Sequence, residues 1–153
     1  MQQITKIANS AQLDFYTANT SSHTPLPFVE GGIVAGFPSP AQDYIDLKID
    51  LNTELIRNPS STFYARVKGS SMQDAGITDG DILVIDKSLE PQDGDTAVCF
   101  IDGEFTLKYI RLEPDAVYLV PANPNFKPIK VTAENNFCIW GIVTFSIKNH
   151  KRN

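Results

Sequence analysis

The fold is decided by residues 93–110, Asp93-Gly94-Asp95-Thr96-Ala97-Val98-Cys99-Phe100-Ile101-Asp102-Gly103-Glu104-Phe105-Thr106-Leu107-Lys108-Tyr109-Ile110. Asp93-Gly94-Asp95 is a turn that opens into an apolar run, Ala97 to Ile101. Asp102-Gly103 is a two-residue hairpin signal with strand-like sequence on both sides. Side chains alternate along a strand, so Phe105, Leu107 and Tyr109 share one face. Thr106, Lys108 and Ile110 share the other.

The same grammar extends outward. Thr62 to Val67 alternates, and Asp79-Gly80-Asp81 turns into Ile82 to Ile85. Val117 to Val120, Ile129 to Val131 and Phe137 to Ile147 complete six to eight strands at close spacing. The expected fold is mostly β: a curled, antiparallel β domain with short helices. Upstream, Asp50 is placed to cap a short helix from Leu51 to Ile56, ended by Asn58-Pro59. Ser39-Pro40 reads as another helix start, running through Ala41 to about Leu47. Residues 1 to about 34 are rich in Asn, Ser, Thr and Gln. Ile4, Ile7, Ala8 and Ala11 suggest one or two weak helical turns, and the segment reads as a flexible N-terminal arm. It is too short and too poorly patterned for a helix-turn-helix domain.

The chain has 153 residues, 42% of them hydrophobic, which suits one domain with its own core. Net charge is −5, so nothing draws the whole chain to nucleic acid phosphates. The basic cluster from Lys148 to Arg152 reads as a solvated tail. Cys99 and Cys138 make no zinc or CxxC spacing and read as buried free thiols in a reducing cytosol. The two histidines, His23 and His150, lie near opposite ends, and no metal or cofactor site is expected. No apolar run approaches the ~20 residues of a membrane span, and no signal-peptide core is present.

Two short motifs carry potential chemistry. Ser71 follows Gly69-Ser70 at the end of a strand, where small residues let backbone N–H groups approach an incoming carbonyl. A plain Gly-Ser turn reads the same way. Lys108 is either a solvent-facing residue of an amphipathic strand or, if buried, an amine with a depressed pKa. A neutral amine beside a serine hydroxyl is a competent general base and needs no histidine.

Resemblance takes the reading further. The stretch from Gly69 through Ser71-Met72 and Asp79-Gly80-Asp81 to Asp86 resembles the signature of the LexA/UmuD family of self-cleaving serine peptidases, the S24 type. Asp102 to Lys108 resembles the family's lysine segment. Gly36-Phe37-Pro38-Ser39-Pro40-Ala41 is similar to the sequence after the UmuD cleavage point. Asp43-Tyr44, Ile49 to Asn52 and Pro121-Ala122-Asn123 also resemble UmuD. The likeness covers roughly residues 34–147. Two departures stand out. Ala35 replaces the UmuD cysteine before the scissile glycine, which restores the LexA-type Ala-Gly junction. The segment before it is longer than the usual UmuD arm.

The resemblance implies a β catalytic domain over residues 36–153 and an arm, 1–35, that self-cleavage removes. Ser71 would be the nucleophile and Lys108 the general base and acid. The backbone N–H groups of Ser70 and Ser71 would form the oxyanion hole, and Ala35-Gly36 would be the bond cut. It further implies a cytoplasmic homodimer whose cleavage is stimulated by a RecA–single-stranded DNA filament. The shortened form would join a UmuC-like Y-family polymerase in error-prone translesion synthesis during the SOS response, with no direct sequence-specific DNA binding. The rivals are a LexA-like repressor, a signal-peptidase-like enzyme and an accessory subunit that has lost cleavage. The absence of room for a DNA-binding domain, of an anchor and of any lesion in the motifs speaks against each in turn.

Overall fold

A computed structural model of the chain describes residues 6–9, 12–28 and 47–151. The chain forms two compact units, Met1–Asn19 with Asn58–Asn153, and Thr20–Arg57. This division follows packing, whereas the expected one, between residues 35 and 36, follows a chemical bond.

The larger unit is a single nine-stranded sheet. Its strands are β1 (Lys6–Asn9), β2 (Leu13–Thr17), β5 (Thr62–Val67), β6 (Ile82–Asp86), β7 (Thr96–Ile101), β8 (Glu104–Glu113), β9 (Ala116–Val120), β10 (Ile129–Val131) and β11 (Phe137–Ile147). Their spatial order is β1-β2-β5-β6-β11-β7-β8-β9-β10, and every neighbouring pair is antiparallel. The sheet is not closed. It curls strongly enough that Phe15 of β2 meets Phe105 of β8, ring centroids 4.8 Å apart, although these strands are far apart in the order. The expected mostly-β antiparallel fold is borne out.

The hairpin that decided the fold forms as read. Ile101 pairs with Glu104 across Asp102-Gly103, and both turn residues have positive φ, 49° and 88°. That is the type I′ requirement, which Asp-Gly meets at little cost. Strands β5, β10 and β11 take the limits expected from the sequence. The long β11 is irregular between Ile139 and Gly141 and again between Val143 and Phe145. Such irregularities bend a strand and strengthen its twist, which helps the sheet curl. One hydrophobic cluster joins Leu13, Phe15, Val67, Met72, Leu83, Ile85, Val98 and Leu107, with Phe105 and Trp140 packed against it. A second joins Ala97, Cys99, Ile110, Leu119 and Ile142.

The N-terminal segment corrects the sequence reading. Instead of helical turns in a flexible arm, residues 6–9 and 13–17 are strands, and β2 pairs with β5 from Leu13↔Val67 to Thr17↔Phe63. The cause is burial: Leu13 and Phe15, two apart, point to one face and are fully buried. Two such side chains contribute roughly 1.5–3 kcal/mol each on burial. Ile4 and Ala11 lie outside the described residues.

The smaller unit holds a two-stranded pair, β3 (Leu26–Phe28) and β4 (Leu47–Ile49), and a short helix α1 (Leu51–Leu55). Asp50 is its N-cap, as expected, accepting from Asn52 N. It also accepts from Thr53 Oγ1 and Thr24 N, and lies 2.9 Å from His23 Nδ1. The His23 contact is the chief reason the Asp50 carboxyl is held below its ordinary pKa. The helix expected from Ser39 lies outside the described residues up to residue 46, and Leu47 belongs to a strand.

Candidate active site

The serine turn is built by main-chain bonds from three directions. Strand β5 ends at Val67, whose N–H and C=O bond Asp81 O and Gly80 N at 2.9 and 2.8 Å. Gly69, with φ +91°, turns the chain there, and its N–H donates to Asp79 Oδ1 at 3.0 Å. The turn continues through Gln73 N to Ser70 O, 3.1 Å, into a single 3₁₀ turn, Gln73–Ala75. The Pro121-Ala122-Asn123 segment grips it from the side. Ala122 N donates to Ser71 O at 2.9 Å, Asp74 N donates to Ala122 O at 2.7 Å, and Asn123 Nδ2 donates to Ser70 O at 2.9 Å. Asn123 is buried. Met72, 2% exposed, anchors the turn in the core. Ser70 is left exposed and Ser71 half-buried.

Lys108 arrives from β8. It is only 4% exposed, which rules out the solvent-facing alternative. Its Nζ lies 2.6 Å from Thr106 Oγ1, 3.0 Å from Leu107 O and 3.3 Å from Ser71 Oγ. Thr106 shares its strand face with Lys108, as the period of two requires. Burial pushes the lysine pKa below its ordinary value, and Cys99 works the other way. Burial in turn pushes the Cys99 thiol up to about 12. A neutral amine has two N–H donors and one lone pair. Thr106 Oγ1 and the Leu107 carbonyl can take both donors, which leaves the lone pair for the Ser71 hydroxyl.

The structure therefore brings Ser70, Ser71 and Lys108 together, while Ala35 and Gly36 lie outside the described residues. Sequence reasoning gave no role to Gln12 or Thr106 in this site, and quoted Asn123 only as part of a resemblance. Gln12 donated no signal of its own. Its neighbours Leu13 and Phe15 did, through their alternation. The cysteines divide: Cys99 is buried as expected, but Cys138 is exposed. The basic tail is not wholly solvated either, since Lys148 Nζ reaches Asp81 Oδ2 and Thr78 Oγ1, each at 2.7 Å.

An antiparallel β fold with a serine turn facing a buried lysine fits one class, the serine peptidases that work without a histidine. The chain belongs to the Peptidase S24-like family, whose model matches residues 27–144. It is 45% identical to protein ImpA of Salmonella typhimurium over 114 residues, 74% of this chain and 77% of the relative. It is 41% identical to protein MucA of Escherichia coli over 137 residues, 89% and 93% of the two chains. It is 42% identical to protein SamA of Salmonella typhimurium strain LT2 over 110 residues, 72% and 76%. These relatives bear out the UmuD-like reading of the sequence over the LexA-like repressor.

Proposed function

We propose that the chain is a Ser–Lys self-cleaving peptidase whose shortened form serves an error-prone translesion polymerase in the SOS response. One observation carries the chemistry: the Ser71 hydroxyl lies 3.3 Å from the Nζ of a buried lysine whose other contacts occupy its N–H donors. Ser71 Oγ attacks the Ala35 carbonyl carbon while Lys108 takes the hydroxyl proton. Backbone N–H groups of Ser70 and Ser71 stabilise the oxyanion. The tetrahedral intermediate collapses, the Ala35–Gly36 bond breaks, and Lys108 delivers its proton to the departing Gly36 amine. Water, deprotonated by the same lysine, then releases residues 1–35 from the acyl-enzyme. Small residues at the junction let an extended backbone lie close to the nucleophile.

The biological setting follows the family resemblance. The protein acts in the cytoplasm as a homodimer, is stimulated by a RecA–single-stranded DNA filament, and passes its trimmed form to a UmuC-like Y-family polymerase. Among the described residues no helix is long and apolar enough to cross a membrane. Mass spectrometry of purified protein, with and without RecA, single-stranded DNA and a nucleoside triphosphate, tests the reading. The expected products are residues 1–35 and 36–153, and Ser71→Ala should give neither. Release of residues 1–35 by the Ser71→Ala protein would remove Ser71 from the mechanism. Cutting elsewhere would relocate the junction.

A further inference from the structure

One residue just ahead of β2 reaches both halves of the site. Gln12 O accepts from Lys68 N at 2.6 Å, which extends the β2–β5 ladder one step beyond Leu13↔Val67 toward the serine turn. Its side-chain Oε1 accepts from Thr106 Oγ1 at 2.9 Å and from Leu107 N at 3.4 Å. Thr106 is the closest partner of the Lys108 amine.

The direction of these bonds matters. A threonine hydroxyl has one proton and two lone pairs. With its proton committed to the Gln12 carbonyl oxygen, Thr106 faces Lys108 with lone pairs alone. It can accept an N–H from Nζ but cannot donate into the amine's lone pair. That lone pair stays directed at Ser71. Without Gln12, the Thr106 hydroxyl can rotate and donate to the neutral amine, occupying the lone pair that takes the serine proton.

We propose that Gln12 is a positioning residue that acts through Thr106 to aim Lys108 at Ser71, so that docking of the N-terminal strand is a condition of self-cleavage. The inference rests on the Ser–Lys reading above. The fragment to be released, residues 1–35, carries the brace of the site that cuts it.

The test compares full-length wild type with Gln12→Ala, Gln12→Glu, Thr106→Val and the Gln12→Ala/Thr106→Val double variant. Three readouts are used: the pH–rate profile of self-cleavage, the Lys108 titration followed by carbon NMR, and Trp140 emission. Trp140 is the chain's only tryptophan, and its ring centroid lies 4.9 Å from that of Phe15, so its emission reports whether β2 is docked. Gln12→Ala should keep the emission of wild type yet cut about 10-fold slower or worse, within the ~10²-fold range of small misplacements. Gln12→Glu keeps the acceptor and sets a carboxylate one hydroxyl from the ammonium. It should cut well only at higher pH, with the Lys108 midpoint raised by about one pH unit or more. The titratable group facing Lys108 from β7, Cys99, is the same in every variant and stays neutral over most of this range.

Thr106→Val should cut slowly as well, and the double variant should be no slower than the worse single, since both act through one hydroxyl. Multiplicative losses in the double variant would overturn the proposal, as would a Gln12→Ala protein with the wild-type profile. If wild type does not cut at any pH, the Ser–Lys reading fails by itself. The Lys108 titration still judges Gln12 then, because a midpoint that Gln12→Glu leaves unmoved disconnects it from the lysine.

Discussion

The two ends of the sheet are built differently. Near one end, β2 buries Leu13 and Phe15 completely, and the curl of the sheet carries Phe15 onto Phe105 and Trp140. At the other end, β10 pairs with β9 alone among the described residues, and Ile129 is 39% exposed. A lysine marks each region. Lys108 is buried within reach of three oxygens. Lys130 is exposed, its Nζ 6.0 Å from the Tyr118 ring centroid. The same residue type on the same kind of strand thus does two jobs. Burial makes Lys108 a candidate base, while Lys130 stays in contact with solvent.

The contrast predicts its own largest effect. Lys108→Met should abolish self-cleavage, and Lys130→Met should leave its rate unchanged, both measured as fraction cut after alkaline incubation. Wild-type cutting should rise with pH through the folded Lys108 pKa, which lies below the ordinary lysine value. The stability sign is opposite to that of a salt-bridged lysine. Folding disfavours the ammonium, so below the folded pKa Lys108 imposes a constant cost, relieved as pH climbs toward the ordinary lysine value. Lys108→Met should therefore be at least as stable as wild type at neutral pH, with any gain shrinking in alkali. A flat rate across this range, with the fold retained, would break the distinction between the two lysines.

The next effect is on stability. Phe15→Ala removes a fully buried ring that touches both Phe105 and Trp140. Losses for such truncations run to about 3–5 kcal/mol. Denaturant unfolding followed by Trp140 emission measures it. A loss under about 1 kcal/mol would mean that β2 is held weakly and that the contact of Phe15 with Phe105 and Trp140 adds little. A smaller cost is expected midway across the sheet. A Cβ on Gly141 of β11 would lie 2.6 Å from Ile85 Cγ2, inside the core. Gly141→Ala should cost about 1–3 kcal/mol, the usual range for overpacking, while leaving the pH dependence of cutting intact.

The same contrast explains what could be read from the chain. Strands β6, β7 and β8 were legible because Asp-Gly turns precede them, and β5 because it alternates; those signals are local. Strand β2 was not, although Leu13 and Phe15 alternate, because its flanks are polar and its partner β5 lies far along the chain. Ser71 and Lys108 were legible through resemblance to a family. Their geometry was not, since Lys108 looked alike as a surface or a buried residue until β7, β8 and the serine turn packed around it. Gln12 and Asn123 show the limit most plainly. A polar side chain's partner is set by tertiary structure, and neither Thr106 nor Ser70 O can be inferred from the residues beside them.

The smallest effect expected is at the open end. Ile129 faces solvent in part and pairs through its backbone with Leu119 of β9. Ile129→Thr keeps β-branching and strand propensity and removes apolar surface that water already reaches. Surface changes of this kind stay within about 0.5 kcal/mol, so both the unfolding midpoint and the cutting rate should match wild type. The measurement should be repeated across a range of protein concentrations. If β10 is an open edge in solution, the difference between Ile129→Thr and wild type stays near zero throughout. If a second copy covers it, the midpoint of wild type will rise with concentration and that of the variant will rise less, because association stabilises only the folded form. That outcome would make the far end as much a packed region as the near one, closed by a partner chain instead of by the curl of the sheet.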